Sequence, residues 1–157
     1  MVLKIVKGEN QKILSIKCDA VTNFDKSLVK LVKDMKETMK NAKGLGIAAP
    51  QVNINARVFI VTLGFDTKNS REVAMVNPEI TYFSDNKIVT EEGCLSLPGK
   101  FGKVERSDEI VVKYFDEKGK EFQLKLEGMD AVVTQHELDH LNGVLFIDKL
   151  YKKDLII

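Results

Sequence analysis

The stretch His136-Glu137-Leu138-Asp139-His140 constrains this chain more than any other, because it holds both histidines of the 157 residues. On an α-helix, positions four apart lie one turn above each other on one face. Two imidazoles so placed can grip one divalent ion, and the glutamate between them can reach a water beside it. The chain must therefore form a helix there and turn a polar stripe toward the interior. The bland alternative is a surface helix that happens to carry two histidines.

Bulk properties narrow the classes. A chain of this length suits one domain with a real core. Basic and acidic residues nearly balance, 24 against 23, so there is no electrostatic footprint for nucleic acid or anionic lipid. The start, Met1 to Lys7, breaks its apolar run with lysines and builds no signal-peptide core. No run of about 18 apolar residues is present, so no membrane span is expected. Cys18 and Cys94 make no disulfide framework, and a reducing cytoplasm is the simplest compartment.

Periodicity predicts a first helix over Asp25–Lys43, with Leu28, Leu31, Val32, Met35 and Met39 on one face. Asp25 or Ser27 caps its start and Gly44 its stop. Strands are expected over Arg57–Leu63, Val73–Val76 and Ile80–Phe83, and a hairpin over Glu109–Leu126 around Asp116–Lys120. A second helix runs over Asp130–Asn142, with Ala131, Val132, Val133, Leu138 and Leu141 apolar, and ends at Gly143. Strands lead and two helices stand apart in sequence. The expected class is α+β: small antiparallel or mixed sheets around a central HExxH helix, with one N-terminal helix.

A catalytic metal site usually has three protein ligands and one open position. The HExxHxxGxxH extension is incomplete, since Gly143 is in place but Phe146 stands at the third histidine. No glutamate follows Glu137, so the other common peptidase arrangement also lacks its ligand. Upstream, Glu91-Glu92-Gly93-Cys94-Leu95-Ser96 offers a thiolate, a strong ligand for iron or zinc. The commoner fate of a cysteine is to be a small buried hydrophobe. A third segment, Gly44-Leu45-Gly46-Ile47-Ala48-Ala49-Pro50-Gln51, allows close backbone approach and ends on a neutral amide suited to an oxyanion. As a phosphate cradle it is weak, having neither the third glycine nor a lysine with a hydroxyl.

Together GLGIAAPQ, EGCLS and QHELDH resemble the peptide deformylase family, in the bacterial or organellar form with EGCLS. The resemblance covers nearly all of the chain from about Asp25 to Ile147. It implies a hydrolase that removes the N-formyl group from the N-terminal formylmethionine of new proteins. Cys94, His136 and His140 would hold one divalent metal, natively Fe2+, with Zn2+, Ni2+ or Co2+ able to replace it. Glu137 would be general base and then acid, with Gln51 and the Leu95 N–H as the oxyanion hole. Leu45 and Gly46 would pair with the substrate as an added strand beside Gly93. Val132, Val133 and Leu95 would line the methionine pocket, and Arg106 would pair with Glu92 behind the metal loop.

The partners so implied are N-formylmethionyl peptides of nascent chains, met by a monomer in the cytoplasm, or in an organelle after loss of a transit peptide. Two departures stand out. Where the family has a P-x-x-x-L-R pattern, alignment on Leu14 gives Asn10 and Ser15. The chain also stops at Ile157, so the ribosome contact made by longer tails is not carried over. The competing functions are a zinc peptidase and a non-catalytic metal-binding module. Glu137 and Gln51 disfavour the module, since a structural site needs neither base nor oxyanion donor.

Overall fold

The run Val58-Phe59-Ile60-Val61 is buried on both sides, and the reason organises the fold. It lies in β2 (Val58–Leu63) of a computed structural model that describes the backbone of residues 1–156 and side chains through Lys152. Successive strand side chains point to opposite faces. Val58 and Ile60 meet the apolar face of α1 (Lys26–Asn41), whereas Phe59, Val61 and Leu63 meet Ala131 and Leu141 of α2 (Gly128–Leu141). A helix thus covers each face, which makes the strand continuously apolar rather than alternating.

β2 sits in a five-stranded antiparallel sheet with β1 (Gly46–Ala48), β3 (Arg71–Phe83), β6 (Glu109–Phe115) and β7 (Glu121–Glu127), in the order β1-β2-β3-β6-β7. A second antiparallel sheet has the order β4-β5-β8, from β4 (Lys87–Cys94), β5 (Leu97–Ser107) and β8 (Leu150–Ile156). A smaller core of Leu14, Leu97, Val104, Leu145 and Phe146 underlies it. The class is α+β as expected, and among the described residues both sheets are antiparallel throughout. Among those residues, no helix is long and apolar enough to cross a membrane.

Several boundaries differ from expectation for physical reasons. The two strands predicted over Val73–Val76 and Ile80–Phe83 are one strand, β3, whose register against β6 shifts between Val76 and Glu79. There Asn77 takes φ +49 and ties its side chain to the backbone of Val21. Asp25 does cap α1, accepting from Ser27 N and Leu28 N, but the left-handed residue after the helix is Lys43 rather than Gly44. The polar side of α1 is partly covered. Thr38 Oγ1 accepts from Leu3 N, and Asp34 pairs with the Met1 amine and Lys30, where the N-terminal segment crosses the helix.

Strands β4, β5 and β8 were not legible in the apolar pattern. On β4 the inward position 92 is a glutamate, and on β5 the inward position 106 is an arginine. The buried ion pair between them hides the alternation that would mark two half-buried strands.

Candidate metal centre and cleft

α2 carries the site because it is buried nearly all round. Thr134, Gln135, His136, Glu137 and His140 are all buried, and most buried polar groups are paired. Gln135 donates to the carbonyls of Ser107 and Ala131 and accepts from Ser107 N. Thr134 donates to the Asp130 carbonyl. At the C-terminus of the helix Arg57 donates to the Leu141 carbonyl at 3.0 Å, which suits the negative end of the helix dipole. Beyond it Gly143 takes φ +75, and a Cβ there would lie 2.6 Å from the Ser15 backbone, so only glycine fits.

The structure brings Cys94, His136 and His140 together, with one donor atom of each within 4.8 Å of the others. Cys94 Sγ lies 3.4 Å from His140 Nε2, and the two rings meet edge to face at 5.1 Å. Cys94 closes β4, where its register against β5 breaks. His136 Nδ1 lies 2.8 Å from Glu92 Oε1. That contact assigns a proton to Nδ1 and leaves Nε2 as the ring nitrogen offered to the cluster.

An ion-pair chain stands behind this contact. Arg106 donates to both Glu92 oxygens at 2.6 and 2.9 Å and to Asp139 Oδ2 at 2.9 Å, and Lys149 donates to Asp139 Oδ1 at 3.0 Å. Burial pushes the Glu92 carboxyl up, but Arg106 and His136 outweigh it and hold the group at about 2. Burial likewise pulls His136 down, and its bonds to Cys94 and Glu92 prevail, raising it to about 10. His140 is pulled well below the usual range by burial. Burial pushes Glu137 up to about 7.

Glu137 is the residue without company. Its Oε2 is buried with no hydrogen-bond partner among the described residues, as is His140 Nδ1. Its Oε1 faces Gly46 so closely that a Cβ on Gly46 would lie 2.5 Å away. This is the close approach that the small-residue segment permits.

That segment also builds an open strand edge. β1 is the terminal strand of its sheet. The Leu45 carbonyl accepts from Thr62 N at 2.8 Å, so Leu45 and Thr62 face each other as a bonded pair. By the alternation of an antiparallel ladder, the Gly46 N–H and C=O then point away from β2. The Ala48 N–H points the same way and donates to Gln51 Oε1 at 2.9 Å. This bond fixes the Gln51 amide with Nε2 3.2 Å from Ser96 Oγ and 3.5 Å from Cys94 Sγ.

A cleft of about 650 Å³ opens between this edge and β4. Leu45, Gly46, Gln51, Gly93, Cys94, Leu95, Val132, Val133, His136 and Glu137 all line it, which gathers most of the residues singled out from sequence. Glu92 lines it as well, whereas Arg106 and His140 lie behind the wall. Sequence reasoning missed Asp139 as the outer partner of Arg106, Ser96 as the partner of Gln51, and Phe146, whose ring stacks on His136 at 6.2 Å. Asp139 sits inside the HExxH motif, and its spacing of one turn from Gln135 carried the only available signal.

With this geometry in place, comparison with known proteins decides the family. The model of the polypeptide deformylase family matches residues 2–155. The chain belongs to the peptide deformylase family. Peptide deformylase 1 of Bacillus anthracis is 48% identical over 149 residues, spanning 95% of this chain and 92% of that one. The crystal structure of the Thermotoga maritima peptide deformylase superposes with a TM-score of 0.90 at 42% identity, over 96% of this chain and 99% of that chain. A Met-Ala-Ser-bound class I type b peptide deformylase from Acinetobacter baumannii gives a TM-score of 0.88 at 39% identity, over 95% and 99% of the two chains. Peptide deformylases are metal-dependent hydrolases, and the Cys94, His136 and His140 cluster is the candidate metal site in this one.

Proposed function

We propose that residues 1–157 form a single catalytic domain that removes the N-formyl group from formylmethionyl peptides of nascent chains in the cytoplasm. Cys94, His136 and His140 hold one divalent ion, and ferrous iron is its native identity. The carrying observation is the three-donor cluster beside the orphaned carboxylate oxygen of Glu137, at the floor of a cleft bounded by an open strand edge.

The donor set fits a metal. A thiolate bond of about 2.3 Å and an imidazole bond of about 2.0–2.1 Å, at a tetrahedral angle, separate sulfur and nitrogen by about 3.6 Å. The observed 3.4 Å is close to that value. When bound, the ion supplies Lewis acidity that brings the pKa of a water toward neutrality.

The chain's own residues do the rest. The peptide lies along β1 and pairs with the outward Gly46 N–H and C=O, because the Leu45 carbonyl is already committed to Thr62. Its methionine side chain packs on Val132, Val133 and Leu95. Glu137 Oε2 accepts a proton from the attacking water, and a carboxyl poised at about 7 suits that task near neutral pH. Gln51 Nε2 and the Leu95 N–H donate to the oxyanion as the formyl carbon becomes tetrahedral. Glu137 then gives its proton to the leaving amine as the C–N bond breaks, and formate departs. Glu92, held by Arg106, orients His136 throughout. The Met-Ala-Ser bound to the Acinetobacter baumannii relative is a peptide of the kind such a cleft would release.

The test is formate release from a formyl-Met peptide by protein purified without oxygen, with elemental analysis of the same sample. We expect formate, and iron bound one per chain. No formate from protein loaded with iron, nickel or zinc would overturn the reading.

A further inference from the structure

The five methionines divide sharply. Met35, Met39 and Met75 are sealed in the core at 0–1% exposure, and Met1 stands at the exposed start of the chain. Met129 is 53% exposed and yet lines the cleft. It is the only thioether among the described residues that do so. The helical repeat explains its position. Residues 129, 132, 133, 136 and 137 follow the spacing of one helix face, and all five line the cleft. The stripe that ends on His136 and Glu137 therefore begins with an accessible sulfur, next to two valines.

A thioether so exposed is open to a peroxide. The sulfur lone pair attacks one peroxide oxygen, the S–O bond forms as the O–O bond breaks, and the second oxygen leaves as water after proton transfer. Sulfur is oxidised by two electrons and the peroxide reduced by two. The product replaces a flexible apolar group with a polar, chiral one. The other sulfurs differ in kind. Cys18 is 3% exposed, with its thiol pushed up by burial, and Cys94 faces the metal cluster.

We infer that Met129 is a site of reversible oxidation, and that its sulfoxide weakens binding of the substrate methionine side chain on the Val132–Val133 wall. This rests on the deformylase reading of the same cleft. In the reduced state the thioether extends the apolar wall toward solvent. In the oxidised state a strong acceptor stands at the entrance, beside valines that offer it no donor, and a substrate side chain that covers it strips it of water.

The experiment uses nickel-loaded enzyme, so that oxidation of ferrous iron does not intervene. Hydrogen peroxide is titrated in, peptides are mapped by mass spectrometry, and kinetics are measured with a formyl-Met peptide. The expected result is one added oxygen on Met129 and none on Met35, Met39 or Met75. KM rises about threefold to tenfold with kcat retained, the upper figure being about 1.4 kcal/mol. Methionine sulfoxide reductase restores both mass and KM. The KM of Met129→Leu does not respond to peroxide, and Met129→Gln has a raised KM without it. An unmodified Met129 at a dose that oxidises Met1, or a sulfoxide with unchanged KM, overturns the inference. So does a loss confined to kcat that the reductase leaves in place, since that lesion belongs to Cys94. No formate from untreated enzyme would instead sink the deformylase reading and this inference with it, so the two failures are distinct.

Discussion

The two helices answer the same folding problem differently. α1 buries an apolar stripe, Leu28, Val32, Met35 and Met39, with only Asp34 and Thr38 buried among its polar residues, and turns most of its lysines to solvent. α2 is flanked by both sheets and buries Thr134, Gln135, His136, Glu137 and His140 together with its apolar residues. On α1 stability comes from area removed from water, which many apolar sequences supply. On α2 the buried polar groups that are paired take specific partners, from β4, from β5 and from the helix itself. The contrast separates a helix that holds the fold from one that the fold holds in place.

The contrast breaks first at Glu137. Glu137→Ala is expected to keep its metal while kcat falls about 10²- to 10⁴-fold, the usual worth of a positioned acid–base group. Cys94→Ala is expected to lose the metal. Elemental analysis and formate release on both variants check this, and the assignment fails if the glutamate variant loses metal or stays active.

Arg106→Ala comes next, because it leaves Glu92 buried without its arginine and takes one of two cations from Asp139. Breaking such a pair typically costs about 3–5 kcal/mol, measured here by urea unfolding. The pH sign follows from the depressed Glu92. Its contribution to stability is fully present above its ordinary value of 4.5 and is lost as pH falls through about 2. In Arg106→Ala the cation that holds Glu92 down is gone, so this acid-dependent loss should be smaller than in the parent protein, which urea unfolding repeated from neutral to acid pH would detect.

Met35→Ala probes α1. A fully buried methionine so truncated should cost about 2–5 kcal/mol with kcat/KM unchanged. A large fall in kcat/KM at folded temperatures would erase the distinction between the helices. Smallest of all, Lys33→Ala on the exposed side of α1 should shift stability by no more than about 0.5 kcal/mol in the same unfolding assay.

How much could be read in advance follows from the same contrast. α1 was legible because its residues sort by polarity at helical spacing, and the β6–β7 hairpin because Asp116–Lys120 interrupts two apolar runs. α2 was legible through its motif, its apolar residues and the stop at Gly143. Its burial is too even around the axis for periodicity to reveal which face meets what. β4 and β5 stayed hidden because Glu92 and Arg106 occupy positions where the pattern of a half-buried strand expects apolar residues. β8 follows Phe146–Lys149 with no turn signal strong enough to announce it.

By itself the sequence determined the helix that carries two imidazoles one turn apart, the glutamate between them and the small residues that let a backbone come near. Those are local consequences of covalent spacing and of 3.6 residues per turn. Only the tertiary structure decided that Cys94 lies 3.4 Å from His140, that Arg106 joins Glu92 to Asp139, and that the Leu45 carbonyl is taken by Thr62 at the edge of the cleft. Contacts between distant segments depend on how two sheets and a helix pack. Short-range patterns carry no record of that packing where a buried charge stands in an apolar place.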